Sequence, residues 1–169
     1  MIFGFIRYEL GSIDLRGLHH VVFASILQGR PYSFFTDWVD PFLDLFLKPF
    51  LYQPVLERYR NAKKTGHPTF LLSSSPDFLV GAIARRLGFD FWQGTEYSID
   101  KEGRICEIST LIDAAAKLQF AKKMAAAKNI AYSDSEEDLP LLEWADEAIV
   151  VQPRLGLKFL AKQRNWEVL

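Results

Sequence analysis

Two acidic residues follow a short β-branched and aromatic segment near residue 130. Asp134 lies where a predicted strand of residues 129–133 ends, and Asp138 lies four residues further on, at a predicted helix start. This spacing can bring both carboxylates toward one hard cation such as Mg²⁺. Acidic residues are also favoured at any solvated helix start by the helix dipole. From these residues alone, a metal site and an ordinary helix start remain equally good interpretations.

Hydroxyl-bearing residues form the second candidate site. A predicted strand of residues 68–73 is followed by Ser74, Ser75 and a helix that would begin at Pro76. Backbone N–H groups at a helix N-terminus carry partial positive charge, and a nearby hydroxyl can donate to a phosphate oxygen. Ser73 and Ser74 are therefore candidate phosphate-binding residues. The competing and more common interpretation is a serine that caps the helix after a buried strand.

A lysine on the helix before the acidic segment is the third candidate. Lys117 lies in a predicted helix of residues 113–128. An ammonium group that reaches the site could neutralise phosphate and carboxylate charge. Lys122, Lys123 and Lys128 share this helix, so a solvated lysine face is the default explanation for any one of them.

These candidates require a sheet whose strands end at a common edge. From about residue 68 onward, short β-branched or aromatic segments alternate with helical patterns, which is typical of βαβ units and a parallel sheet. The predicted strands are residues 68–73, 89–92, 129–133, 148–151 and 166–169, with a hairpin at 95–108. The predicted helices are residues 76–87, 113–128, 138–145 and 153–164. We expect an α/β fold with a doubly wound parallel sheet, in which ligands bind beyond the carboxyl ends of the strands.

The first part of the chain has a different pattern. Apolar residues recur at helical spacing, and Pro54 and Gly66 would begin and end the last helix there. We predict a helical cap at residues 1–66 and an α/β core at residues 67–169. The cap is rich in aromatic residues: Phe34, Phe35, Trp38, Phe42, Phe46, Phe50 and Tyr52. A buried core stripe explains most of them, and the alternative is an apolar face that contacts a membrane surface.

Composition excludes several classes of protein. The 169 residues are 49% hydrophobic and 24% charged, which indicates a globular chain rather than a disordered one. With 20 Lys and Arg against 21 Asp and Glu, the net charge of −1 gives no electrostatic reason to expect nucleic-acid binding. The single Cys106 cannot form an internal disulfide, and no apolar run reaches the roughly 18 residues of a transmembrane helix. We expect a reduced, cytoplasmic protein with no nucleic-acid partner.

Taken in order, these segments resemble the haloacid dehalogenase superfamily, in particular its phosphoserine-phosphatase-like branch with a helical cap. Residues 133–142 look like the metal-binding fourth motif, and residues 72–76 are similar to the second motif. Residues 94–96, the Lys117 region and residues 151–169 resemble other stretches of that branch.

This resemblance implies Mg²⁺-dependent hydrolysis of a phosphomonoester. In that scheme Asp134 and Asp138 bind the metal, Ser73 and its neighbour Ser74 hold the transferring phosphoryl group, and Lys117 faces the phosphate.

The first motif of the family, Asp-x-Asp-x-Thr, is missing. Its first Asp attacks phosphorus to form an aspartyl-phosphate, and its second Asp acts as general acid and base. No Asp-x-Asp occurs anywhere in this chain. Two explanations stay open. Residues 5–11 resemble the start of the cap, so that Met1 would be internal and the nucleophile would lie upstream; alternatively, residues 2–6 are a degenerate first strand of a catalytically inactive module that binds phosphate and metal.

The first explanation has a physical consequence. The missing strand would lie in the middle of the sheet, between the strands that end at Ser73 and Ser133, and its removal would leave two unpaired inner edges. We therefore expect the chain as given to self-associate and to show little turnover.

The substrate stays open between a small soluble phosphate such as phosphoserine and a lipid phosphate, because residues 5–8 and 132–135 also resemble bacterial phosphatidylglycerophosphatases.

Overall fold

A computed structural model describes residues 15–169 of the chain. The interpretations placed on residues 2–6 and 5–11 lie outside this range. The elements in chain order are α1 (Leu15–Val22), a π-helical turn (Phe23–Leu27), α2 (Tyr32–Phe50), α3 (Gln53–Lys64), β1 (Phe70–Pro76), α4 (Asp77–Leu87), β2 (Phe91–Ile99), β3 (Ile105–Thr110), α5 (Ala114–Lys123), β4 (Ile130–Ser133), a 3₁₀ turn (Glu136–Asp138), α6 (Leu139–Trp144), β5 (Glu147–Val150), α7 (Leu155–Gln163) and β6 (Glu167–Val168).

The strands form two three-stranded sheets. In the first sheet the order is β1-β2-β3, with β1 parallel to β2 and β2 antiparallel to β3. In the second sheet the order is β4-β5-β6, and both pairings are parallel. The α/β class with parallel strand pairing is thus confirmed, although the described strands form two sheets. Because β1 and β4 are outer strands, one edge of each has no partner strand within residues 15–169.

The chain packs as two compact units made of separate stretches. The first unit combines the described residues up to Phe50 with Phe70–Asp113, and the second combines Leu51–Thr69 with Ala114–Leu169. Each unit contains one of the two sheets. This grouping differs from a division near residue 66, and the cap and core domains remain a proposal.

One buried cluster of the first unit forms where α2 packs on α4, and another contains Phe23, Leu27 and Ile105. Val39 and Leu43 of α2 bury their side chains against Ala82 of α4. At the edge of this contact Arg86 binds the Asp40 carboxylate at 2.9 Å and the Asp44 carboxylate at 2.5 Å. Two acidic residues on this side of α2 therefore share one basic partner on α4.

The core of the second unit lies around β4 and β5. Its fully buried members include Leu142 of α6, Val150 of β5 and Leu157 of α7. Arg58 of α3 forms an ion pair with Glu167 of β6, which attaches the helix to the end of this sheet. This packing fixes the position of the carboxyl end of β4.

Several boundaries differ from the prediction for physical reasons. β1 continues to Pro76 because this residue pairs with Thr95 of β2, so α4 begins at Asp77 and Ser75 is not its cap. The second predicted strand and the first strand of the predicted hairpin are one continuous strand, β2. α5 ends five residues before the predicted end, since the Asn129 side chain accepts from the N–H of Ala126 and donates to its carbonyl.

The interpretation of the cap aromatics as a core stripe is wrong for most of them. Phe34, Trp38, Phe42, Phe46 and Phe50 are exposed on α2, whereas Phe35 is half-buried. The helix carries a second apolar side next to the one that packs on α4. None of the helices between residues 15 and 169 combines the length and the apolar character that a bilayer crossing requires.

Candidate functional site

The five residues after β4 fold back over its end. Ser133 donates its hydroxyl to Oδ2 of Asp138 at 2.7 Å and accepts the N–H of Ser135 at 3.1 Å. Ser135 in turn accepts the N–H of Glu137 at 3.2 Å, which caps the 3₁₀ turn. These bonds hold the Asp138 carboxylate at the carboxyl end of the strand. Ser133 is a site residue that the sequence did not predict, and the signal that could mark it is its position as the last residue of β4.

Lys117 reaches the same carboxylate from α5. Its Nζ atom donates to Oδ1 of Asp138 at 2.7 Å. The two side chains are only 11% and 12% exposed. A buried ion pair is stabilising only when its remaining polar atoms are also satisfied, and here the Ser133 hydroxyl occupies the second carboxylate oxygen. Two of the residues singled out from the sequence are thus in contact, and they join α5 to the end of β4.

Asp134 is placed differently from Asp138. It is exposed, and its carboxylate forms no hydrogen bond or ion pair with any residue of the described range. Each oxygen of Asp138 already accepts one hydrogen bond. Asp134 is therefore the carboxylate that can accept a cation without giving up an existing contact.

The donor set fits part of a magnesium site. Within residues 15–169 no three His, Cys, Asp or Glu side chains are grouped closely enough to hold a metal ion. Protein sites for Mg²⁺ commonly supply only one or two carboxylates and leave the other positions to water and phosphate oxygens. Asp134, with Asp138 as a second acidic group, matches that smaller requirement.

The serine segment lies at the end of β1 in the first unit. Ser73 is half-buried, and its hydroxyl oxygen accepts the N–H of Ser75 at 3.2 Å. Since the hydroxyl accepts in this contact, its proton is free to be donated elsewhere. Ser74 contributes its carbonyl to a bond with Thr95. Ser73 and Ser74 belong to one compact unit, whereas Lys117, Asp134 and Asp138 belong to the other.

Thr95 of β2 positions the serine segment. Its side chain is completely buried; the hydroxyl donates to the carbonyl of Ser74 at 2.8 Å and accepts the N–H of Ile112 at 3.3 Å. The residue before it, Gly94, allows the backbones to approach closely. A Cβ atom at Gly94 would lie 2.7 Å from Cα of Asp77. Sequence resemblance marked residues 94–96 without indicating these contacts.

An unpredicted carboxylate, that of Asp77, follows the serine segment. Oδ1 of Asp77 is buried and has no hydrogen-bond partner among the described residues. Burial raises the pKa of Asp77, and the charge of Glu96 raises it further. Burial also raises the pKa of Tyr97 to about 12, with a contribution from the Asp77 charge. Asp77 lines a cavity of about 200 Å³ together with Tyr32 and Arg85.

Comparison with known proteins gives a consistent result for most of the chain. A family model for haloacid dehalogenase-like hydrolases matches residues 6–143. A probable phosphatase of Mycobacterium tuberculosis H37Rv is 30% identical over 137 residues, which cover 78% of this chain and 48% of that protein. A phosphoserine phosphatase of the same strain is 30% identical over 112 residues, covering 61% of this chain and 36% of that protein. The chain spans about half the length, or less, of these two relatives.

Solved structures share the fold along nearly the whole chain. A protein of unknown function from Bordetella pertussis Tohama I has a TM-score of 0.84 at 23% identity and covers 98% of this chain and 78% of that chain. A probable phosphoserine phosphatase from Vibrio cholerae has a TM-score of 0.73 at 15% identity and covers 99% of this chain and 50% of that chain. At these identities the likeness concerns the fold alone.

Proposed function

The chain belongs to the haloacid dehalogenase-like hydrolase family, in its phosphoserine-phosphatase-like branch, and we propose that it forms part of a Mg²⁺-dependent phosphatase acting on phosphomonoesters. The observation that carries this proposal is the buried contact between Lys117 and Asp138 next to the exposed carboxylate of Asp134. One cation and two carboxylates at a strand end provide the charges that phosphoryl transfer requires.

Each residue has a separate role in this proposal. Asp134 would hold Mg²⁺, with Asp138 as the second acidic group. When bound, the ion neutralises and orients the phosphoryl group. The free hydroxyl proton of Ser73 is available to a phosphoryl oxygen, with Ser74 beside it. Lys117 offsets negative charge and keeps the Asp138 carboxylate in place.

The attacking carboxylate is a separate question, since the chain contains no Asp-x-Asp sequence. We propose that the nucleophile is supplied from outside this sequence. The test is the intact mass of the native polypeptide purified from its source. A mass clearly above 19.4 kDa, with an Asp-x-Asp in the additional residues, supports the proposal. A mass equal to 19.4 kDa contradicts it.

The missing motif also favours a second candidate function. A module with the same Ser73, Lys117 and Asp134 side chains can bind phosphate and Mg²⁺ without turnover. The intact-mass measurement separates the two candidates, because this module needs no additional residues.

The substrate proposal rests on the relatives. One of them is a phosphoserine phosphatase, so a small soluble phosphomonoester such as phosphoserine is the first substrate to assay. A lipid phosphate such as phosphatidylglycerophosphate is the alternative. Hydrolysis of one and not the other by the full-length protein would decide between them.

Replacing Asp134 with Asn is expected to weaken Mg²⁺ binding at least tenfold, because one anionic ligand of a site with one or two carboxylates is lost. Calorimetric titration of Mg²⁺ into this chain in the presence of orthophosphate measures the change, and phosphatase activity should be abolished in the full-length form. Glu107→Gln is the matched control, since Glu107 is an exposed carboxylate on β3. If the Asp134→Asn variant and this control bind Mg²⁺ with equal affinity, Asp134 is not a ligand of the site.

A further inference from the structure

Six large apolar side chains on one side of α2 are exposed, and no other element of the described residues covers them. We call them the aromatic face: Phe34, Trp38, Phe42, Leu45, Phe46 and Phe50. The five aromatic residues recur every four positions and Leu45 lies three residues after Phe42, which places them along one side of a helix. Trp38 is 65% exposed and Leu45 is 71% exposed. A continuous exposed apolar surface of this kind marks an interaction site.

The charges of α2 indicate what covers this face. Asp40 and Asp44 both pair with Arg86. Asp37 and Lys48 are both exposed, and neither forms an ion pair with a residue of the described range. They are eleven residues apart, which is about three helical turns, so they lie on the same flank of the aromatic face. One acidic and one basic group therefore stand near opposite ends of the face.

We propose that the aromatic face of α2 pairs with the same face of a second copy of this chain, with the two helices antiparallel about a two-fold axis near Phe42. The midpoint between Asp37 and Lys48 falls next to Phe42. A two-fold axis at that point brings Asp37 of each copy to Lys48 of its partner copy, and both ion pairs form by symmetry. The same operation places Phe42 against Phe42 and Trp38 near Leu45. The face is thus complementary to itself in shape and in charge.

The size of the face predicts a weak dimer. Aromatic side chains bury about 150–250 Å² each when fully covered. Six side chains that are roughly half exposed remove on the order of 600 Å² per copy, which is the lower end of the range for specific interfaces. We therefore expect association that depends on concentration, with a dissociation constant in the range of about 1–100 μM.

A membrane is the less suitable partner for this face. Amphipathic helices that bind membrane surfaces carry Lys and Arg on their polar side. The charged residues of α2 are Asp37, Asp40, Asp44 and Lys48, so the helix is acidic overall. Even with Arg86 paired to Asp40 and Asp44, two basic groups stand against three carboxylates, so no net positive charge attracts an anionic lipid surface.

The first test replaces Phe42 with Glu and follows the chain by sedimentation equilibrium over a hundredfold range of concentration. The substitution puts two carboxylates at the two-fold axis, and we expect the association constant to fall at least thirtyfold. Phe159→Glu is the matched control, because Phe159 is also an exposed phenylalanine, on α7 outside the aromatic face. The proposal is overturned if both substitutions weaken association equally, or if neither substitution changes it. Association through the open edges of β1 and β4 would give the second of these results.

The second test exchanges the charges. Asp37→Lys alone should weaken association about tenfold, since it turns two attractive contacts into repulsive ones. Adding Lys48→Asp should return the association constant to within about threefold of its original value. Failure of the double variant to recover, while both variants melt as the parent chain does, contradicts the antiparallel arrangement. A chain that stays monomeric and instead sediments with phosphatidylcholine vesicles would show that the face binds lipid.

Discussion

Replacing Lys117 with Met is expected to lower the free energy of unfolding by about 3–5 kcal/mol. The substitution keeps the length of the side chain and removes its charge, so the Asp138 carboxylate remains buried with Oδ1 unpaired. Removing one partner of a buried pair is strongly destabilising for this reason, whereas an exposed pair contributes little. Urea denaturation followed by far-ultraviolet circular dichroism measures the change.

Two further variants show whether the unpaired charge is the cause. Lys122→Met changes an exposed lysine of the same helix, and we expect its effect to stay within about 0.5 kcal/mol. Combining Lys117→Met with Asp138→Leu removes both charges and should recover at least half of the lost stability, because an apolar pair often replaces a buried ion pair at little cost. A double variant as unstable as the single one would contradict this explanation and assign the loss to packing.

Replacing Gly94 with Ala is expected to destabilise the chain by about 3 kcal/mol, at the upper end of the range for overpacking. The added Cβ would lie 2.7 Å from Cα of Asp77 and 3.0 Å from the carbonyl oxygen of Ser75. Both neighbours are backbone atoms, so no side-chain rotation relieves the contact. β2 would have to move away from the serine segment, and the bond from Thr95 to Ser74 would lengthen.

Gly103→Ala is the control for the Gly94 variant. Gly103 has a φ of +78° and open space around its missing Cβ, so alanine there suffers only the left-handed backbone penalty of about 1–2 kcal/mol. The melting temperatures of the two variants compare the cost of steric crowding at Gly94 with the cost of backbone strain at Gly103. A Gly94→Ala variant that melts with the parent chain would mean that β2 tolerates displacement from the turn at Asp77.

The order of strands and helices could be predicted because the residues that end each element act locally in the sequence. Gly88 ends α4 in a left-handed conformation with φ of 80°, as expected of a glycine after a helix. Alternating β-branched segments and helical patterns gave the strands around it. The end of β1 could not be predicted, since Pro76 joins the strand through a pairing with Thr95, which lies far along the chain. A residue that looks like the first position of a helix is held in the sheet by this distant partner.

Periodicity could not decide which side of α2 is buried. Val39 and Leu43 form one apolar row, and Trp38 and Phe42 form another beside it. Both rows satisfy helical spacing, so only the packing against α4 distinguishes them. The same limit applies to the candidate site: spacing brought Asp134 and Asp138 into one hypothesis, but the structure shows that one is buried in an ion pair and the other is exposed.

The buried contact between Lys117 and Asp138 constrains how the two residues can vary among relatives. Selection for a folded chain is enough to disfavour the loss of either residue alone, because the other charge would stay buried without its partner whether or not a phosphate is ever hydrolysed. A homologue that has lost its nucleophile would therefore keep the two residues or replace both together. Asp134 is exposed and does not stabilise the fold through such a contact. Its replacement by a neutral residue in a relative is therefore the more informative sign that activity has been lost.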